Sequence, residues 1–263
     1  RPILIGVTGS VGKSSSKEAM ALVLSKHFSV RASVGNLNNE FGVPLTVIGS
    51  VSPGRSPFGW LKVLLKALRL AFIPGDYPQV LILELGIDRP GDMDYLLSLV
   101  GTPHIGVLTH VSSSHLEFFG TVSAIGKEKG KLLAALSEDG TAVVNADSEA
   151  AMKEVSRTKA KVLSYGFGKD ALVRADNLRM IQEQGIIEGV SFKLNYEGKT
   201  IPVRLPGLIA EHQVGAILSA VAVAIALKIN LVEIGAALLD FRPLPGRLTM
   251  LPGENGMRVL DDS

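Results

Sequence analysis

The stretch Ile3-Leu4-Ile5-Gly6-Val7-Thr8-Gly9-Ser10-Val11-Gly12-Lys13-Ser14 decides the fold. Ile3 to Val7 is a short, unbroken apolar run and reads as a buried strand, whereas Ser14 to His27 reads as a helix. The glycines between them let the backbone turn tightly, so that successive N–H groups can point at phosphate oxygens. A helix N-terminus adds a favourable field for anions. Lys13 would neutralise β/γ-phosphate charge and the Ser14 hydroxyl would bind Mg²⁺. The general motif places a glycine where this chain has Val7, with Gly6 one position earlier. The bland alternative is a structural glycine-rich turn; the strand–loop–helix context favours a nucleotide triphosphate loop formed by Gly9, Ser10, Val11, Gly12, Lys13, Ser14 and Ser15.

Working outward, apolar strand runs recur at Val80–Glu84, Ile105–Thr109 and Thr141–Asn145, separated by helical patterns. This alternation predicts an α/β fold, a mostly parallel sheet with flanking helices of the P-loop NTPase type. Ligands of such sheets sit beyond the carboxyl ends of the strands. From Lys161 to Leu205 the pattern changes to short β-prone pieces with turn residues such as Glu197-Gly198, which predicts a small, largely antiparallel β appendage. Helices are expected from about His212 to Leu227 and from Leu231 to Phe241. Pro243-Leu244-Pro245-Gly246 then breaks the chain as at a domain boundary, and Arg258 to Leu260 starts a new strand.

The chain has 263 residues, of which 46% are hydrophobic and 20% charged, enough to build an ordinary core without staples. A formal net charge of only +2 gives no global field for a nucleic-acid partner. With no cysteine, disulfides and thiolate metal sites are excluded, which suits a reducing, cytoplasmic setting. The chain starts at Arg1 rather than Met, with a strand following at once, and is expected to begin inside a longer protein without a signal peptide. Trp60 to Ile73 is too short to span a bilayer. Its Lys62, Lys66 and Arg69 fall on one face of an amphipathic helix, expected to pack on the domain surface, with membrane-surface contact as the weaker alternative.

Other polar clusters follow strand ends. Glu84 closes an apolar strand and must be paired, metal-bound or solvent-facing. His110 and His115 could be ligands or proton carriers, or ordinary loop residues, the reading local sequence favours. Lys127, Lys129 and Lys131 read as a solvated face, and Asn36-Leu37-Asn38-Asn39-Glu40 as an amide-rich loop suited to a polar ligand or to turns.

Taken in order, these segments resemble the Mur ligase family, the ATP-dependent amide ligases of peptidoglycan precursor synthesis. They are Gly6–Ser14, Gly35–Thr46, Glu84–Gly86 with Pro90-Gly91, His115–Gly120, Glu128–Gly130, Val144–Asp147, and Pro245–Leu248 with Asp261–Ser263. Gly35–Thr46 is particular to the branch that adds D-alanyl-D-alanine to UDP-N-acetylmuramoyl-peptide. The resemblance implies ATP and Mg²⁺ as cofactors, with Lys13 and Ser14 at the phosphates, Ser14 and Glu84 on a first Mg²⁺, and His115 on a second. Lys129 matches the family lysine carbamylated by CO₂, a change that replaces a cation repelling Mg²⁺ with an anion attracting it. Asn38 and Asn39 would face the UDP-sugar peptide, His212 and Gln213 the adenine, Arg247 the phosphates and Asp262 the ribose.

The implied partners are a UDP-sugar peptide and an amino acid or dipeptide, with no nucleic acid and no integral membrane segment. Departures occur at His110 and Ser112-Ser113-Ser114, and around the adenine, where Glu211, Gln213 and Ala216 replace family residues and Leu208-Ile209-Ala210 is inserted. The resemblance further implies that residues 1–242 form the central ATP-binding domain and 243–263 the start of a C-terminal domain, the N-terminal UDP-binding domain being absent. Such a piece is expected to bind nucleotide weakly and not to turn over. Two alternatives compete: a related ligase of the cyanophycin-synthetase or folylpolyglutamate-synthase kind, and a nucleotide-binding module that does not ligate.

Overall fold

The structure, a computed structural model, describes residues 2–35, 37–73, 75–183, 186–252 and 258–262. Arg1, Asn36 and Ser263, each invoked above, lie outside the described residues. Nine strands form one sheet: β1 (Ile3–Thr8), β2 (Val30–Ala32), β3 (Val80–Glu84), β4 (Ile105–Leu108), β5 (Thr141–Asn145), β6 (Lys161–Gly166), β7 (Val173–Glu183), β8 (Ile186–Tyr196) and β9 (Lys199–Pro206). Their order is β2-β3-β1-β4-β5-β6-β7-β8-β9. All pairs up to β6–β7 are parallel, and β7–β8–β9 are antiparallel.

The helices are α1 (Lys13–Ser25), α2 (Gly42–Ile48), α3 (Pro57–Phe72), α4 (Asp92–Val100), α5 (Leu116–Phe119), α6 (Val122–Ala134), α7 (Glu149–Met152), α8 (Glu211–Ala226) and α9 (Leu231–Leu238). Alternate residues of the parallel strands serve the two faces. Ile5, Val7, Ile82 and Val107 join Met20 of α1 and Ile217 of α8 in one core; Leu4, Leu81 and Leu83 join Met93 of α4 and Leu132 of α6 in another. Val7 therefore belongs to the core and is fully buried. Gly6 points the other way, where an added Cβ would lie 2.9 Å from Leu132 Cδ1, so α6 can pack closely on β1.

The α/β architecture is the one the sequence predicts, but the stretch from Lys161 is not set apart. β6 continues the parallel sheet beside β5, and the antiparallel hairpins extend that same sheet. Glu197 and Gly198 make the tight β8–β9 turn, both with positive φ. After Pro243, β10 (Thr249–Pro252) and β11 (Arg258–Asp261) form a separate antiparallel pair, of which the sequence suggested only the second strand. Helix α3 lies on the surface, as expected, against α2, but buries no residue, most of its apolar side standing in solvent. Among the described residues no helix is long and apolar enough to cross a membrane.

Candidate nucleotide and metal site

Strand order reverses around β1, which has β3 on one side and β4 on the other. The carboxyl ends of these strands therefore open a crevice, the usual ligand position of such sheets. Residues 9–12 cross it. Gly9 has φ 151°, and a Cβ there would meet Thr109 Oγ1 at 1.8 Å. The loop lies against the end of β4: the Ser10 N–H donates to His110 O at 2.7 Å, and Thr109 Oγ1 donates to Val11 O at 2.7 Å. Ser10 Oγ accepts from the Ser112 N–H at 3.0 Å.

Helix α1 starts on left-handed Gly12, with no side-chain acceptor for its first amides and no acid in its first turn. Its N-terminal N–H groups thus lack the internal partner that a capping side chain would supply, an arrangement that fits phosphate. Lys13 Nζ donates to Gly9 O at 2.9 Å, which folds the ammonium back over the loop. Burial chiefly lowers its pKa; Glu84 and Asp88 oppose that shift, and Arg247 adds to it.

Register fixes the metal-binding candidates. Val7 stands opposite Glu84, so the carboxylate emerges beside the loop on the α1 face. Ser14 Oγ donates to Glu84 Oε2 at 3.0 Å, and Asn38 Nδ2 donates to Oε1 at 3.0 Å. Glu84 is only 2% exposed, which removes the solvent-facing reading. Lys17, which the sequence reading passed over, is fully buried on α1, 3.9 Å from Glu84 Oε2. It donates to Ser33 O at 2.6 Å and Gly35 O at 3.1 Å, so it also holds the start of the amide-rich loop. The signal available was its spacing, three residues after Ser14 on the same helix face.

The run at Lys127–Lys131 is not a uniform solvated face. Lys127 is exposed, whereas Glu128 and Lys129 are buried. Glu128 accepts from the Gly91 and Met93 N–H groups at 3.0 and 3.1 Å, tying α6 to the start of α4. Lys129 is 2% exposed. Burial first, then the nearby Lys13 charge, lower its pKa to about 7, against the pull of Asp88 and Glu128. Asp88 is the second residue the sequence reading missed: its carboxylate acts on Lys13 and Lys129 and lies 3.5 Å from His115 Nε2. His115 has the left-handed φ of 61° at the start of α5, which turns its ring toward Asp88.

Around the crevice a pocket of about 900 Å³ joins residues 10–16 to His212, Gln213, Arg247 and Asp262, with Asn145, Asp147 and Phe167 on another wall. Gln213 is engaged within the protein. Its Oε1 accepts from the Ile209 and Ala210 N–H groups at 3.0 and 3.1 Å, and Nε2 donates to Arg247 O at 2.7 Å. The side chain thereby ties the start of α8 to the turn that carries Arg247. Asn39 is engaged too: its Oδ1 accepts from Gly42 N at 2.9 Å at the start of α2. Among the described residues no three His, Cys, Asp or Glu side chains converge as a metal cage. Mg²⁺ does not require one, since it is ordinarily held by one or two protein oxygens together with phosphates and water. Ser14 and Glu84 fit that pattern.

A parallel sheet with a glycine loop, lysine and serine at its first strand–helix junction defines a P-loop-type nucleotide-binding domain. The Mur ligase middle domain model matches residues 62–224, and the chain belongs to that family. It is 31% identical over 261 residues to the UDP-N-acetylmuramoyl-tripeptide–D-alanyl-D-alanine ligase of Mycobacterium tuberculosis H37Rv, covering 99% of this chain and 45% of that one. The ligase of the same name from Escherichia coli K12 is 28% identical over 263 residues, 99% of this chain and 51% of the relative. Among solved structures, the MurF ligase of Thermotoga maritima in complex with ADP superposes with a TM-score of 0.79 at 25% identity, covering 100% of this chain and 53% of that one. The chain thus spans about half the length of the relatives it matches.

Proposed function

We propose that this chain is the ATP-binding core of a ligase that joins D-alanyl-D-alanine to a UDP-N-acetylmuramoyl-peptide in peptidoglycan precursor synthesis. The reading comes from the names its relatives carry. The observation that bears it is the meeting of Lys13, Ser14, Glu84, Asp88, His115 and Lys129 at adjacent strand ends. A cytoplasmic setting goes with it, because nucleotide and UDP-linked substrate are both polar and phosphorylated. Residues 1–242 would form the central domain, and the separate β10–β11 pair after Pro243 supports placing the start of a following domain at 243–263.

In this reading the loop amides and Lys13 bind the ATP phosphates, and Arg247 approaches them from the far wall of the pocket. A carboxylate oxygen of the sugar peptide attacks the γ-phosphorus, and the bond to the β-phosphate oxygen breaks. ADP leaves, and an acyl phosphate remains. The dipeptide amine then attacks the acyl carbon; the C–O bond breaks with its electron pair on phosphate, and the amine proton passes to a base. Ser14 and Glu84 would hold one Mg²⁺, and His115, Asp88 and carbamylated Lys129 another; when bound, the ions neutralise charge on the transferring phosphoryl group. Lys129 suits its part because a pKa near 7 leaves much of it as neutral amine, the form that adds to CO₂. Asn38 orients the Glu84 carboxylate, so its role extends from substrate to metal side.

The test is ADP release by the full-length protein. Release that requires both the sugar-peptide carboxylate and D-alanyl-D-alanine supports the proposal. ATP binding without carboxylate-dependent release would instead assign a non-ligating nucleotide module, and stimulation by a different amine would assign a related ligase.

A further inference from the structure

We propose that α3 docks the protein on an anionic lipid bilayer surface. The helix runs for 16 residues from a Ser56 cap, yet no residue of it is buried. Gly59, Val63 and Ala67, spaced four apart, are its least exposed positions and mark the side turned to the protein. Lys66 on that flank donates to Gly49 O at the end of α2. The opposite side presents Phe58, Leu61, Leu64, Leu65, Leu68 and Phe72 to solvent, with Phe58 77% and Phe72 79% exposed. So large a contiguous apolar face marks an interaction surface.

Charge selects the occupant. Between Glu40 and Asp76 the chain has no acid and four cations, Arg55, Lys62, Lys66 and Arg69. Lys62 and Arg69 lie together along one edge of the exposed apolar side, and Trp60 lies along another. Apolar face, basic flank and interfacial tryptophan are the features of helices that lie in the plane of a membrane surface. An antiparallel second copy is disfavoured, because that two-fold contact through α3 would bring the same cations toward one another. Position is also compatible. Val47, near the end of α2, accepts hydrogen bonds from Arg31 in β2 and from Tyr77, just before β3, which places the α2–α3 junction toward the starts of these strands. The nucleotide pocket opens at their other ends. A docked α3 would leave that pocket facing water.

Trp60 is the only tryptophan of the chain, so its fluorescence reports on α3 alone. Added to phosphatidylglycerol-containing vesicles at low salt, the protein is expected to co-sediment, with a blue shift of Trp60 emission. Partitioning should be roughly ten- to hundred-fold stronger than with phosphatidylcholine alone. Leu65→Asp with Leu68→Asp should abolish both signals, and Lys62→Glu with Arg69→Glu should remove the anionic preference; circular dichroism checks that both double variants fold. Absence of binding to anionic vesicles, or binding unchanged by the leucine variants, would overturn the proposal. So would α3 amides already protected from hydrogen exchange in the full-length protein without lipid, since another domain would then cover the face. A dimer that the leucine variants dissociate would assign the face to a second copy.

Discussion

Ser14 and Glu84, 70 residues apart in the chain, meet at 3.0 Å because β1 and β3 are parallel neighbours with Val7 opposite Glu84. A hydroxyl from the phosphate loop and a carboxylate from the next strand thereby face the same point. Glu84→Gln keeps shape and hydrogen bonding to Asn38 while removing the charge. It should weaken Mg²⁺–nucleotide binding on the order of 10- to 100-fold, with a smaller loss for nucleotide in excess chelator. Ser14→Ala should have a similar effect. The double variant should lose less than the product of the two, since both act at one site. Isothermal titration calorimetry with and without Mg²⁺ separates these outcomes; equal losses in chelator would exclude the shared-metal assignment.

Gly9 tests the loop itself. Gly9→Ala places a Cβ against the Thr109 side chain, on a backbone at positive φ, so the loop must move. Nucleotide affinity should fall by more than tenfold, and Tm by several degrees for a loss of about 1–3 kcal/mol. Thr109→Ala removes the nearer clashing atom and should restore part of the loss but not all, because the strained φ persists. Unaltered affinity in Gly9→Ala would mean that the loop does not need this conformation.

Lys129 makes a pH-dependent contribution whose sign follows from its depressed pKa. Between about 7 and 10.5 the unfolded chain holds a proton that the folded chain has released. Stability contributed through this group therefore rises with pH across that window, and the penalty of burying the ammonium is full below it. In CO₂-free buffer, Lys129→Met should raise Tm by a few degrees at pH 6, with the advantage shrinking as pH approaches 10. Scanning calorimetry across pH checks this. With ¹³C-bicarbonate, a carbamate resonance should appear in the parent and vanish in the variant.

Gln213 is expected to act through backbone rather than base. Gln213→Ala leaves the Ile209 and Ala210 amides and the Arg247 carbonyl without their side-chain partner, at about 1–3 kcal/mol for each group that stays buried. Tm should drop by several degrees. Gln213→Glu retains the acceptor for the two amides but cannot donate to Arg247 O, so it should fall between. If adenine and guanine nucleotides lose affinity equally in both variants, the residue positions the pocket; selective loss for adenine would mean direct reading of the base.

What the sequence settled is local. A continuous apolar run followed by glycines, Lys13 and Ser14 can only turn and start a helix in a few ways, so the strand–loop–helix junction and the parallel-sheet class were legible from spacing alone. The Glu197-Gly198 turn was legible for the same reason: its geometry depends on adjacent residues. Resemblance named His115 and Lys129, though composition and periodicity left them as ordinary loop and surface groups. Burial of Lys129, the Asp88 link to His115, the Lys17 clamp on Ser33 and Gly35, and the internal engagement of Gln213 were decided only by tertiary structure. Each depends on which strand lies beside which, and a side chain's charge and partners are set by neighbours far away in the chain. The outward turn of α3 belongs here too: its amphipathic period was written in the sequence, but which side met the protein was fixed only by docking on α2.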